Sequence, residues 1–238
     1  MSRSQSRDLP SRLSEMGEFR RATRGHEIVL DSRTDQLVFL ADGATKLVVQ
    51  LPDGSEQVLA FHFTGDMVHV PHRPGDRLQL VALDDCRAIT FPTNAFLDAA
   101  EGEPEVLRTM LTRALLALQR SRNKAIRLGR KAAQERIADF LLAMAERIGI
   151  PDGTDIRIDL PMSRRDIGNS LGLTIETVSR QFTELRDSHM IATSGRSLVW
   201  LHDLEGLAVR AGQVAAQKVD PENCAISNKD LASPTMVG

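Results

Sequence analysis

The sequence predicts an α+β fold in which a β-rich first part is followed by a long helix and then by a small helical domain. Through the first hundred residues, short strand-like runs recur roughly every 8–12 residues. Residues 105–130 contain no proline and one glycine, and two short amphipathic segments joined by Gly172 follow later. The length of 238 residues suits two domains of ordinary size.

Seven short runs near the start of the chain have the alternation and the flanking turn residues of β-strands. Turn-forming stretches such as Pro52-Asp53-Gly54-Ser55 and Thr64-Gly65-Asp66 separate them. The pattern is typical of an all-β sandwich or jelly roll, and the clearest unit is the hairpin LVVQL-PDGS-EQVLAFHF. The predicted strands are 27–30, 36–40, 45–51, 56–63, 67–70, 77–82 and 87–91.

A heptad pattern of apolar and small residues predicts a long helix over 104–130. The apolar face formed by this pattern, here called the heptad seam, either packs on its own domain or contacts the same helix of a second subunit. Alanine and serine in the seam favour close approach of another helix, and basic residues such as Arg108, Arg120 and Arg127 leave little apolar surface elsewhere. The predicted dimer interface consists of Leu107, Leu111, Ala114, Leu118, Ser121, Ala125 and Leu128.

A second helix and a short strand are predicted between this seam and residue 160. The helix carries an apolar stripe and ends at Gly149 and Pro151, and Ile156, Ile158 and Leu160 then alternate with charged residues as in a half-buried strand. The stripe consists of Ile137, Phe140, Leu141, Met144 and Ile148.

Residues 163–186 have the pattern of two short helices joined by a glycine turn. Ser163 and Asp166 form a capping-box pattern, Gly172 supplies the turn, and Thr174 caps the second helix. This is the helix-turn-helix arrangement, whose second helix enters the DNA major groove. The residues predicted to be buried are Ile167 and Leu171 in the first helix and Ile175, Val178, Phe182 and Leu185 in the second.

The opposite face of the second helix carries Glu176, Ser179, Arg180 and Thr183 at spacings of three and four. Arginine donates two hydrogen bonds to guanine, glutamate accepts from cytosine, and serine allows close approach to a base edge. The alternative is a simple ion pair of Glu176 with Arg180 on a solvated face. The preceding helix and turn favour base reading.

Two short strands around Ser194-Gly195-Arg196 predict a β-wing behind the two helices. Arg196 at its tip is placed to meet a phosphate, and Trp200 is expected in the core of this domain.

Two stretches resemble the CRP/FNR superfamily of bacterial transcription regulators. They are SRRDIGNSLGLTIETVSR, whose E-x-x-S-R spacing resembles the FNR and FixK branch, and LGRKAAQERIADFLLAMAERI, which resembles the helix between sensor and DNA-binding domains. The resemblance covers residues 18–212 and implies an N-terminal double-stranded β-roll, a dimerisation helix and a C-terminal winged helix. The implied boundaries are 1–17 (N-terminal arm), 18–103 (β-roll), 104–130 (helix), 131–212 (winged helix-turn-helix) and 213–238 (flexible tail).

The resemblance implies a homodimer that binds TTGA-like inverted repeats in double-stranded DNA through a recognition helix at 174–186. The two recognition helices would lie about 34 Å apart, one turn of DNA. As an activator, such a dimer would recruit RNA polymerase. The implied base-reading residues are Glu176, Ser179 and Arg180, and the implied phosphate contacts are Arg164, Thr174 and Thr177.

The residues that this family uses to bind cofactors are largely absent. Members that bind cyclic nucleotides carry a Gly-Glu turn and, downstream, an Arg-Ser or Arg-Thr pair that holds the phosphate. Here the turn reads Gly65-Asp66 and a later strand begins Arg77-Leu78, so we expect no cyclic-nucleotide binding. With two cysteines, Cys86 and Cys224, and none in residues 1–30, we expect no iron–sulfur cluster. Cys86, beside Arg87, is a possible redox thiol if it is not simply structural.

His62, His69 and His72 form the one histidine cluster of the β-rich part. They either lie at the surface or in turns, or they mark a metal- or haem-binding jelly-roll protein, an enzyme or a gas sensor. Their spacing differs from the His-x-His pattern of metal-binding jelly rolls, and the helix-turn-helix has no role in an enzyme. We therefore expect a regulator without enzymatic activity.

The overall net charge of −2 conceals parts of opposite charge. Residues 1–103 hold 11 basic and 16 acidic side chains, whereas residues 104–147 hold 10 and 4. The helix-turn-helix segment with its wing, residues 163–196, holds 5 and 4. DNA affinity must therefore depend on individual placed residues rather than on bulk charge. No long apolar run suits a membrane span or a secretory signal, so we expect a cytoplasmic protein that does not contact the membrane.

Overall fold

The computed structural model describes residues 9–72 and 78–213. The chain divides into two compact units, Met1–Arg127 and Leu128–Gly238, so the division falls in the last turn of the long helix. Residues 214–238 of the expected tail, with Cys224, lie outside the described residues, as do residues 1–8 of the expected arm and Arg77.

The first unit is a sandwich of two antiparallel sheets, with one helix before the strands and two helices after them. The strand orders are β1-β7-β2-β5 and β4-β3-β6. Val38 and Val68 of the first sheet share one core with Leu80 of the second, which confirms the jelly-roll prediction. The elements are α1 (Leu9–Met16), β1 (Glu18–Ala22), β2 (Gln36–Asp42), β3 (Ala44–Gln50), β4 (Glu56–Phe63), β5 (Met67–Val70), β6 (Leu78–Ala82), β7 (Cys86–Pro92), α2 (Thr93–Ala100) and α3 (Pro104–Arg130).

The predicted strand at 27–30 is wrong. Glu27 makes a single bridge to Val81, and the Ile28 amide donates to the Leu80 carbonyl at 2.8 Å, but no ladder continues. Ile28 lies in a loop, and its side chain is buried in the core. An apolar residue is therefore needed at this position for the same reason as in a core strand. Strand β1 and helices α1 and α2 were not predicted from the sequence.

The long helix α3 packs on the sandwich through a stripe of residues outside the predicted heptad seam. Near its start, Val106 and Met110 pack against Phe91 and Phe96, whose rings meet edge-to-face with centroids 5.3 Å apart. Farther along, Arg113 donates to the Gly65 carbonyl. This stripe has the three- and four-residue spacing of one helix face.

Lys124 continues the stripe and binds a β-bulge. Pairing of β3 with β4 shifts at Leu59, and the Lys124 ammonium donates to the carbonyls of Val58 at 2.6 Å and Leu59 at 2.9 Å. Burial, with a smaller contribution from Arg127, lowers the pKa of Lys124 to about 8. The ammonium therefore still carries charge at neutral pH and fastens α3 to the sheet.

The heptad seam itself is left open within the first unit. Leu107, Leu111 and Leu118 are 39%, 61% and 46% exposed, so packing on its own domain is wrong for these residues. The expectation of little other apolar surface is also wrong, because Leu115, Leu116 and Ile126 are exposed as well. Ala114, Ser121 and Ala125 are exposed, and Leu128 is half-buried.

The second unit is a helical domain with one four-stranded antiparallel sheet, ordered β10-β11-β9-β8. Its core contains the fully buried side chains of Ile137, Leu141, Ile158 and Leu207. The predicted second helix and the strand after it are confirmed, whereas the last helix was not predicted. The elements are α4 (Ala133–Ile148), β8 (Ile150–Asp152), β9 (Asp155–Asp159), α5 (Arg164–Leu171), α6 (Ile175–Asp187), β10 (Ile191–Ser194), β11 (Leu198–Leu201) and α7 (Leu204–Arg210).

Arg136 of α4 joins the carbonyl ends of two other helices. Its guanidinium donates to the carbonyls of Leu128 at 2.9 Å, of Lys131 at 2.8 Å and of Leu171 at 2.9 Å. Leu128 lies in the last turn of α3 and Leu171 ends α5, where helix carbonyls have no partner within the helix. A cation there also interacts favourably with the negative end of the helix dipole.

Lys131 binds a backbone carbonyl at the C-terminal end of α7 in the same way. Its ammonium donates to the Ala211 carbonyl at 2.7 Å and lies 3.4 Å from the Asp139 carboxylate. Arg136 and Lys131 thus satisfy the carbonyl ends of α3, α5 and α7 with two side chains of one short segment.

We expect Arg136→Ala to lower the free energy of unfolding of the second unit by about 2–3 kcal/mol, because three carbonyls lose a charged donor. Trp200 is the single tryptophan and lies in this unit, so its fluorescence during urea unfolding reports the change. Arg165→Ala is the matched control, since Arg165 is exposed on α5. An unchanged urea midpoint for Arg136→Ala would show that these hydrogen bonds contribute nothing.

Candidate nucleic-acid interface

The first short helix begins and ends as predicted. The Ser163 hydroxyl accepts from the Asp166 amide at 3.1 Å, and the Asp166 carboxylate accepts from the Ser163 amide at 2.9 Å, which is a reciprocal capping box. Gly172 ends the helix in the left-handed region with φ of 65°. A Cβ on Gly168 would lie 2.6 Å from the Leu173 carbonyl oxygen, so the turn also needs this glycine for close approach.

The second helix, α6, is capped at Thr174, whose hydroxyl accepts from the Thr177 amide at 3.2 Å. Val178, Phe182 and Leu185 are buried as predicted. The prediction for Ile175 is wrong, because its side chain is 36% exposed at the first turn of the helix. Gln181, which is 7% exposed, lies in the buried face instead.

The predicted reading face is open to solvent. Glu176, Ser179, Arg180 and Thr183 are all exposed and lie on the side of α6 opposite its buried stripe. Within residues 9–72 and 78–213, Glu176 and Arg180 do not form the ion pair that was the alternative explanation. Arg180 instead lies beside Glu184, with 4.0 Å between Nε and Oε1.

The first turn of α6 combines hydroxyl groups with a charged carboxylate. The Thr174 hydroxyl donates to the Thr177 hydroxyl at 3.1 Å. A hydrogen bond from its own backbone amide is the main cause that lowers the pKa of Glu176. Glu176 is therefore an acceptor at neutral pH, as reading of the cytosine amino group requires.

Arg164, a predicted phosphate contact, stacks on the recognition helix. Its guanidinium carbon lies 3.3 Å from the centroid of the Phe182 ring. Burial, together with the nearby charge of Arg186, lowers the pKa of Arg164 to about 10, so the side chain stays positive at neutral pH. Stacking occupies the flat face of the guanidinium and leaves its N–H edges to donate.

The wing is confirmed as a hairpin of β10 and β11 whose pairing ends at Ser194 and Leu198. Gly195 turns the chain with φ of 60°, and Arg196 beside it is exposed. The expectation for Trp200 is wrong: it is half-buried, and its indole N–H donates to the Asp152 carboxylate at 2.9 Å. The buried neighbours on β11 are Val199 and Leu201.

The three histidines do not converge on one site. His62 lies on β4 of one sheet, whereas His69 on β5 of the other lies 3.4 Å from the Asp35 carboxylate, which also accepts from the His72 amide at 2.7 Å. In the part of the chain that the structure describes, no three His, Cys, Asp or Glu side chains are grouped to hold a metal ion.

Cys86 is enclosed rather than exposed. Its side chain is 3% exposed, and Sγ donates to the Ala44 carbonyl at 3.0 Å. Burial, with the Asp84 carboxylate, raises the pKa of the thiol to about 11. Arg87 pairs with Asp42. This environment keeps Cys86 protonated and does not support a reactive redox thiol.

A capped pair of helices with a glycine turn, an open polar face and a β-wing defines a winged helix-turn-helix DNA-binding protein. A Crp-like helix-turn-helix domain matches residues 135–210. None of the helices in the described residues is both long enough and apolar enough to cross a membrane.

Comparisons with known proteins extend this likeness to most of the chain. It is 35% identical over 164 residues to the transcriptional activatory protein AadR of Rhodopseudomonas palustris, covering 68% of this chain and 67% of that protein. It is 36% identical over 169 residues to the nitrogen fixation regulation protein FixK of Bradyrhizobium diazoefficiens, covering 70% and 71%. The structure of FixK2 from Bradyrhizobium japonicum matches with a TM-score of 0.71 and 30% identity over 84% of this chain and 99% of that one. The chain belongs to the CRP/FNR family of transcription regulators, in its FixK-like branch.

Two residues of the interface were missed from the sequence. A polar residue such as Gln181 is expected to be exposed. Its position three residues after Val178 is nevertheless compatible with the buried stripe. Glu184 is expected to be a solvent-exposed charge, yet it contacts Arg180 and also Arg210 of α7. A spacing of four residues from Arg180 was the available signal.

We expect Cys86 to react slowly with thiol reagents in the folded protein. In a Cys224→Ser variant, where Cys86 is the single thiol, alkylation by iodoacetamide at pH 7.5 should be on the order of a hundredfold slower than in denaturant, because the thiolate fraction is that much smaller. The folded pKa lies above the unfolded value of 9.0, so this thiol stabilises the fold below pH 9, and the contribution is lost as the pH rises through about 11. Equal rates in folded and unfolded protein would contradict this.

Proposed function

We propose that this protein is a homodimeric transcription activator that reads TTGA-like inverted repeats. The observation that carries the proposal is the open face of α6, where Glu176, Ser179 and Arg180 lie in the first two turns of a helix held from behind by buried residues. The N-terminal part of a recognition helix is the part that meets base edges.

In this proposal, Arg180 donates to guanine, Glu176 accepts from a cytosine amino group, and Ser179 allows close approach to a base. The other predicted residues position the protein on the DNA backbone. The Thr177 hydroxyl accepts from Thr174 and keeps its own hydrogen for a phosphate oxygen. Arg164 and Arg196 supply charge at the start of α5 and at the wing tip.

The dimer proposal is supported by the exposed face of α3. Leu107, Leu111 and Leu118 are open beside small residues at heptad spacing, and a different stripe of α3 fastens the helix to its own sandwich. The occupant that we propose is the same helix of a second copy, packed as a parallel coiled coil. A twofold dimer matches the symmetry of an inverted repeat.

The activator role is supported by relatives such as AadR, a transcriptional activatory protein. An activator of this kind recruits RNA polymerase to the promoter. We propose that the protein works in the cytoplasm, without an iron–sulfur cluster, a bound cyclic nucleotide or an enzymatic reaction. The two cysteines of the sequence are too few to hold such a cluster by themselves.

Replacing Arg180 tests base reading. Arg180→Ala should weaken binding to a TTGA-type palindrome by about 1–3 kcal/mol per half-site and leave binding to unrelated DNA nearly unchanged. Titration of labelled duplexes by fluorescence anisotropy measures both affinities.

Arg196→Ala provides the contrasting variant for this experiment. Since Arg196 is proposed to contact a phosphate, its loss should weaken binding to all sequences alike and reduce the salt dependence. Equal affinity of Arg180→Ala and the unaltered protein for the palindrome would refute the base-reading role.

Replacing Leu111 tests the dimer. Leu111→Glu should yield monomers at micromolar concentration in sedimentation equilibrium, because a carboxylate would be buried in the seam. Leu116→Glu is the matched control: Leu116 is 46% exposed on the same helix but five residues on, about 140° around the axis. The proposal fails if both variants remain dimers or if the unaltered protein is a monomer.

A further inference from the structure

Glu184 lies on α6 one turn beyond Arg180 and is held from two directions. The Gln181 side-chain amide donates to Oε2 at 2.9 Å. Arg210 of α7 approaches the same oxygen with Nη2 at 3.5 Å. Both contacts come from the side of α6 that faces its own domain, since Gln181 is buried and Arg210 is half-buried.

The other carboxylate oxygen is directed to Arg180. Oε1 lies 4.0 Å from the Arg180 Nε. An exposed i,i+4 ion pair by itself is weak, because two flexible side chains must be ordered for little Coulomb gain. Here Gln181 and Arg210 already restrict the carboxylate, so only the arginine remains to be ordered.

The contact through Nε leaves the two terminal nitrogens of Arg180 for a base. Guanine offers O6 and N7 side by side in the major groove, and a guanidinium fork with a fixed plane can donate to both. Within the described residues, Glu184 is the acidic side chain that lies close enough to Arg180 to pair with it.

We propose that Glu184 is a positioning residue for base reading, which holds the Arg180 guanidinium in the orientation that selects guanine and is itself anchored through Gln181 and Arg210. This rests on the proposed function, since it presupposes that Arg180 reads a base. It assigns to α7 a part in sequence selection although α7 does not carry the reading face.

A purely electrostatic role of Glu184 would have a different signature. Removing a carboxylate near DNA reduces repulsion and raises affinity for all sequences together. A positioning role requires affinity for the correct palindrome to fall relative to other sequences. The ratio of affinities for TTGA and TTAA palindromes therefore separates the two roles.

We expect Glu184→Gln to reduce this ratio by about 3- to 10-fold, with unchanged or slightly higher affinity for unrelated DNA. Arg210→Ala, which keeps the carboxylate but removes one anchor, should reduce the ratio by a smaller factor. Glu205→Gln is the matched control, because Glu205 is exposed on α7 and carries the same charge. Circular dichroism and thermal melting establish that each variant is folded.

The double variant makes the test specific to the pair. In an Arg180→Ala background, Glu184→Gln should change the ratio by less than about twofold, since there is no guanidinium to position. The inference is overturned if Glu184→Gln keeps the full ratio, or if it lowers the ratio equally with and without Arg180. If the unaltered protein does not discriminate between the palindromes, the proposed function itself fails.

Discussion

The reading face depends on one constraint: an α-helix that buries one side must present the other side at fixed spacing. Val178, Phe182 and Leu185 anchor α6, and this alone turns Ser179 and Arg180 toward solvent. The Thr174 cap sets where the helix begins, so these side chains fall in its first two turns. Burial on one side of α6 therefore decides which side chains the other side exposes, and the net charge of residues 163–196 is only +1.

The same constraint divides α3 between two tasks. One stripe is fastened to the sandwich, by apolar contacts near Met110 and by hydrogen bonds of Lys124 to a β-bulge. The heptad seam faces a different direction, and its leucines Leu107, Leu111 and Leu118 are left exposed. The β-bulge matters because the carbonyls of two successive residues, Val58 and Leu59, both accept from one cation on the helix, whereas successive carbonyls of a regular strand point to opposite edges.

The features that the sequence predicted correctly are those that depend on residues close together in the chain. The jelly-roll strands, the capping box and the glycine turn follow from neighbours within a few residues, and they are confirmed. Helices such as α7 were not predicted because seven residues carry too little periodicity to stand out. The strand at 27–30 was wrong because an apolar side chain such as Ile28 fills a core equally well from a loop. Ile175 and Trp200 were misplaced because an apolar residue at the edge of a helix or sheet need not be enclosed.

By itself, the sequence determined that α3, α4, α5 and α6 are helices, where α5 and α6 are capped, and that Glu176, Ser179 and Arg180 share one exposed face, because spacing within a helix is a local property. The tertiary structure decided which groups meet from distant parts of the chain. Arg136 reaches the ends of two helices, α7 places Arg210 beside Glu184, and the sandwich encloses Cys86 so that its thiol stays protonated. These encounters depend on how elements pack, and no spacing along the chain encodes that directly.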